Sequence, residues 1–212
     1  MPEPEEISEF HPNGQLRQKY RLKEGQVDGM VASFLPGSEL QHTAHFSQGV
    51  LHGETVTYAP DGSLAHKANF KNGKLEGELR TFLAGRPHMK SLYKDGKQEG
   101  ETLFYAPAGN IIGKALYKDG KLDGMASWFG TNGQIIKTAL YRNGLLNGGT
   151  LEYFPNGKLR MSSEYKDDLL HGEVKTFTDD GKLKETVRYE NGKVVSQAAK
   201  PGNAPPPKTG RR

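Results

Sequence analysis

Residues 93–124 read Tyr93-Lys-Asp-Gly-Lys-Gln-Glu-Gly100, then Glu-Thr-Leu-Phe-Tyr105-Ala-Pro-Ala-Gly109-Asn-Ile-Ile-Gly-Lys-Ala-Leu, then Tyr117-Lys-Asp-Gly-Lys-Leu-Asp-Gly124. The second octet restates the first 24 residues on. Working outward, the first glycine of each octet recurs as Gly25, Gly49, Gly73, Gly96, Gly120, Gly144 and Gly192, with Asp168 in the missing slot. A second glycine follows four residues later, from Gly29 to Gly172, and a third closes the Pro/Asn/Asp-rich stretch after the first aromatic. A fixed period of this length marks a repeat architecture.

The aromatic residues obey the same period. One slot holds Phe10, Phe34, Tyr58, Phe82, Tyr105, Phe129, Tyr153 and Phe177, and the other holds Phe46, Phe70, Tyr93, Tyr117, Tyr141, Tyr165 and Tyr189. Between glycines the apolar period is two: Leu159, Met161, Ser163 and Tyr165 alternate with Arg160, Ser162 and Glu164. Alternation bounded by Asn-Gly or Asp-Gly reads as a half-buried strand ending in a tight hairpin turn. The expected fold is therefore all-β: an elongated, twisted, single antiparallel sheet, a meander of about seven 24-residue hairpins. Asp168 and the one-residue shortening near Gly85 read as bulges. The repeat domain is expected over 10–193, after a loose acidic stretch 1–9 and before a disordered, basic, Pro-rich tail 194–212.

Composition agrees. The chain has 212 residues, 27 of them glycine, and only 34% apolar residues, too few for a thick two-layer core. It has no cysteine, which removes disulfides and thiolate chemistry. The net charge of +4 is carried by Lys200, Lys208, Arg211 and Arg212, so the body is balanced. A nucleic-acid binder concentrates cations on its folded face, and none is expected here. The acidic start, Met1-Pro-Glu-Pro-Glu-Glu, is unlike a secretory n-region, so the chain is expected in the cytoplasm, or in the periplasm if an export segment has been removed.

Tyr117-Lys-Asp-Gly-Lys-Leu-Asp-Gly124, Phe70-Lys-Asn-Gly-Lys-Leu-Glu-Gly77 and Tyr93-Lys-Asp-Gly-Lys-Gln-Glu-Gly100 resemble the MORN repeat, most closely its bacterial variant in YwqK-like antitoxins. That resemblance covers about residues 10–193. It implies an extended sheet without a catalytic centre, a protein partner such as a cognate toxin or effector, and neutralisation by occlusion. The alternative it implies is a membrane-associated scaffold, its basic tail making weak contact with anionic lipid.

Candidate chemistry is sparse. Gly109–Lys114 echoes a P-loop but has one residue too few between its glycines and Ala115 after the lysine. His42 and His45, three apart on a strand, point oppositely, so no metal site is expected. Glu76/Glu78 and Glu99/Glu101 recur in the repeat and read as solvated turns; no cofactor is expected and no catalytic residue. One departure suggests a binding surface. With all repeat aromatics on one face, Phe104, Ile112, Leu116, Trp128, Ile136 and Leu140 would form a contiguous apolar patch on the other, provided Phe104 meets Ile112 across its hairpin.

Overall fold

A computed structural model describes residues 3–197. Among these, every regular element is a β-strand, and the strands follow one another in an open antiparallel meander sheet. The chain divides between Lys121 and Leu122 into two compact units. The first runs from strand Glu5–Phe10 to Ile111–Lys118, the second from Gly124–Phe129 to Lys193–Gln197.

Each repeat uses two turns. In Asp95-Gly96 both residues have positive φ (51° and 81°), the signature of the two-residue turn whose twist matches the strands it joins. Asp167-Asp168 makes the same turn (φ 49° and 66°), so Asp168 stands in the glycine position without a bulge. Ala84-Gly85 also makes it (φ 49° and 70°), replacing the longer loop used elsewhere and accounting for the short repeat. The longer loop is a four-residue turn: Gly109 N–H donates to the Ala106 carbonyl at 2.8 Å, and Ala106 N–H to that of Asn110 at 2.9 Å. In the second repeat the left-handed position of this loop falls on Ser38 (φ 72°), not on Gly37.

The faces of the sheet follow from one irregularity. Along Gly100–Tyr105 the cross-strand partners are Tyr117 for Gly100, Ala115 for Thr102, Gly113 for Phe104 and Ile111 for Tyr105, so Ile112 is an extra residue. The same one-residue excess falls at Arg17, Gln41, Ala65, His88, Ile136, Arg160 and Lys184. Directly opposed side chains share a face, and neighbours along a strand do not. Phe104 therefore lies with Tyr117, on what we term face A, and Tyr105 lies on face B. The two aromatic slots occupy opposite faces, because the extra residue reverses the alternation between them.

Face A carries a row of small side chains at its centre. In the first unit Ala44, Ala68, Ser91, Thr102 and Ala115 are buried there, and in the second Ala126, Ala139, Thr150 and Ser163. On one side of this row the second-slot aromatics pair with leucines, as Phe70 with Leu75 and Tyr141 with Leu146. Burial comes from neighbouring hairpins on the same surface, so stability is nearest-neighbour in kind.

Neighbouring repeats are also joined at their turns. Gly96 N–H donates to the Leu75 carbonyl at 2.9 Å, and Gly144 N–H to that of Leu122 at 2.7 Å. The acidic residue before the second glycine caps the next turn: Glu76 accepts from Asp95 N–H, Glu99 from Asp119 N–H (both 2.9 Å), and Asp123 from Asn143 N–H (3.0 Å). Glu76 and Glu99, expected as solvated, are thus structural acceptors. His52 holds the same position and makes no such bond to Asn72. We expect Glu99→Ala to destabilise the first unit by about 1 kcal/mol and His52→Glu to stabilise it by a similar amount. Urea titrations followed by circular dichroism would show the two midpoints moving in opposite directions.

The ends differ from expectation. Residues from Glu5 on are not loose: Glu5–Phe10 pairs antiparallel with Leu16–Lys23, and side-chain ion pairs such as Lys19 Nζ–Glu6 at 2.6 Å lie across the pair. At the other end Lys193–Gln197 pairs with Leu183–Glu190, so Val194–Gln197 are strand and not tail. The rest of the expected tail, residues 198–212, lies outside the described residues.

Candidate partner-binding surface

Every bulge places three side chains together on face A: the extra residue, the one after it, and the residue opposite. In the first unit Phe104, Ile112 and Gly113 form one such triplet. Phe104 is half-buried, and a Cβ on Gly113 would stand 3.3 Å from its Cδ2, so the ring lies against the glycine. Met89 faces Phe104 from the strand on the other side. Ile112 remains 40% exposed. Phe104 and Ile112 are therefore brought together, although the residue directly opposite Phe104 is Gly113. Leu116 is on face B, opposite Glu101.

The second unit repeats this arrangement with Trp128, Ile136 and Lys137. Lys137 is opposite Trp128, its Nζ 5.6 Å from the ring centroid, a cation–π contact. Ile136 shares face A, its Cγ2 3.3 Å from where a Gly130 Cβ would stand. Trp128 keeps 36% of its surface exposed. Leu140 lies on face B, opposite Met125. The expected single-faced patch is thus divided between the faces, with the aromatic–isoleucine pairs on face A and both leucines on face B. The cause is the bulge, which sequence spacing did not register.

The other triplets hold a polar or charged side chain in the place of Phe104 and Trp128. Glu9 pairs with Arg17 and accepts from the Tyr20 hydroxyl at 3.1 Å; these hydrogen bonds, Arg17's first, hold its carboxyl below the usual range. Glu152 pairs with Arg160 and, at 3.4 Å, with Lys137. Burial pulls the Glu152 carboxyl upward most strongly, but Arg160 and Lys137 together outweigh it and the net shift is downward.

Face B is charged and internally paired, with Lys67–Glu54 and Lys90–Glu78 at 2.7 Å in the first unit and Lys175–Glu173 at 2.7 Å in the second. His42 and His45 lie on opposite faces, as expected, and among the described residues no group of three or more His, Cys, Asp or Glu could hold a metal ion. Gly109–Lys114 runs from a turn into strand Ile111–Lys118, with no helix to receive a phosphate.

The MORN repeat variant model matches residues 6–24, 51–72, 98–119, 146–167 and 170–191, together about half of the chain. Each match falls on a hairpin described above. The chain belongs to the MORN repeat variant family. The hairpins between those matches have the same bulge, and Ala84-Gly85 shortens the loop of one of them, so the MORN scaffold continues through them. No curated protein matches the chain. One similar solved structure is a chain in the "Crystal Structure of TcdB2-TccC3-Cdc42", with 13% identity and a TM-score of 0.24. The alignment covers 89% of this chain but 12% of that one, and a likeness so weak carries no argument. Among the described residues no helix is long and apolar enough to cross a membrane.

Proposed function

We propose that this MORN repeat chain is a non-enzymatic scaffold that binds another protein through its bulge triplets. One observation carries the reading. The position that holds Glu9, Ser33, Thr57, Thr81, Glu152 and Thr176 in other hairpins holds Phe104 and Trp128, and these rings, with Ile112 and Ile136 beside them, remain partly exposed. Large aromatic side chains at an otherwise polar surface are the anchors that dominate protein interfaces. No described cluster supplies a nucleophile with its base, a metal or a phosphate cradle, so the surface supports recognition and not turnover.

The finer reading rests on the resemblance to YwqK-like antitoxins: the partner is a cognate toxin or effector, neutralised by occlusion. The test is co-expression with the product of the neighbouring gene, read as rescue of growth, together with the affinity of the purified pair. The double variant Phe104→Ala/Trp128→Ala should lose at least about 100-fold in affinity while keeping the β-sheet circular-dichroism signal. Loss of both would make the triplets part of the core. Retained binding would place the interface elsewhere. Co-sedimentation with anionic vesicles, equal for the full chain and a chain ending at Gln197, would set aside the membrane alternative.

A further inference from the structure

In the first unit, face A has a charge pattern that the reverse surface lacks. From strand Gly29–Phe34 to strand Ile111–Lys118 it carries no Asp, Glu or Lys, and its one Arg is Arg86, opposite Leu83 at a hairpin end; all other charged side chains fall on face B or at the turns. The titratable groups on this strip of face A, apart from the phenols of Tyr93 and Tyr117, are His42, His66 and His88, one in each of three successive triplets. His66 and His88 are exposed, and His42 is half-buried. Ser33 and Thr57 flank His42, Thr57 and Thr81 flank His66, and His88 stands beside Thr81. The Thr81 hydroxyl has no hydrogen-bond partner. The fourth triplet ends the series with Phe104 and Ile112.

This strip offers donors and latent positive charge, with no carboxylate of its own to compete for them. Successive triplets are two strands apart, about 9.6 Å, close to one three-residue turn of a polyproline II helix, about 9.3 Å, in which residues i and i+3 face the same side. We propose that face A of the first unit binds an acidic–apolar segment of a partner protein laid across the strands in the polyproline II conformation. Its carboxylates meet His42, His66 and His88 at three-residue spacing, and an apolar side chain rests on Phe104 and Ile112. The proposal deepens the protein-binding reading above and rests on it.

The contact is linked to pH. A carboxylate beside a histidine favours imidazolium, so the bound state takes up protons and affinity rises as pH falls through the ordinary histidine range. Glutamates of the partner stay ionised to about pH 5. Burial holds the His42 pKa below its ordinary value.

The test uses the full chain and a fluorescein-labelled (Glu-Val-Thr)4 peptide, followed by anisotropy, with (Gln-Val-Thr)4 and (Lys-Val-Thr)4 as comparisons. The acidic peptide should bind best and tighten about tenfold between pH 7.5 and 5.5, a gain absent from His42→Gln/His66→Gln/His88→Gln. Ile112→Glu, an exposed change that leaves the core alone, should weaken it about tenfold, whereas Ile112→Lys should not. Lys114→Ala, on face B, should change nothing. Equal binding of the Gln and Glu peptides, pH dependence that survives the triple change, or indistinguishable Ile112 variants would overturn the proposal. If the neighbouring-gene product still bound through Phe104, the scaffold reading would stand and only the acidic-segment assignment would fall.

Discussion

Gly148→Ala destabilises the second unit by about 2–4 kcal/mol, because it combines a strained backbone with crowding. Gly148 has φ 117°, where an L side chain is rarely found, and that conformation turns the missing Cβ toward face B. There it would stand 3.1 Å from the Leu140 Cβ and 3.2 Å from its Cδ1. The Cδ1 can swing away, since Leu140 is partly exposed, but the Cβ moves only with its strand. Gly120 is the contrast. Its φ is 81°, nothing lies within 4 Å of its missing Cβ, and Asp168 already occupies the equivalent turn position. Gly120→Asn should therefore cost under about 1 kcal/mol. Repeat sheets can unravel locally, so hydrogen exchange of the amides in 140–165 is the appropriate measurement alongside urea unfolding. A Gly148→Ala protein as stable as the parent would show that the glycine position is set by something other than this approach.

Ala139→Leu has the second-largest effect, about 1–3 kcal/mol of destabilisation from overpacking. Ala139 is 1% exposed and sits on face A between Ala126 and Thr150, themselves buried. Three neighbouring strands thus present small side chains in a line, and three added carbons have nowhere to go without parting them. Leu140, the next residue, is 42% exposed on face B, and Leu140→Ala should change stability by less than about 1 kcal/mol. Thermal unfolding of the two variants, one residue apart, reports the alternation directly. Equal losses would mean that the strand is not oriented as described.

Much of this fold was legible in the chain. Asp95-Gly96 and Asn72-Gly73 announce their turns because few other dipeptides accept two positive φ values in succession. The 24-residue recurrence of Tyr93, Tyr117, Tyr141 and Tyr165 identifies one position of a repeated hairpin. Less legible was the role of Glu99. Its recurrence before a glycine was visible, but the amide it caps lies twenty residues away, at a turn brought near only by stacking of the hairpins. The expected site was half legible. The unusual residues, Phe104 and Trp128, stood out against the repeat, and so did their isoleucines, yet Leu116 and Leu140 were grouped with them by simple alternation.

Local chemistry, then, settled the hairpins, their turns and their period, because positive φ and two-residue alternation are properties of a few adjacent residues. Which face each side chain occupies was decided by the folded sheet alone. The bulged residues Gln41, Ala65, Ile112 and Arg160 share no side-chain property that would mark them. The extra residue is absorbed where two strands must match hydrogen bonds across a hairpin, and that match exists only once both strands are in place.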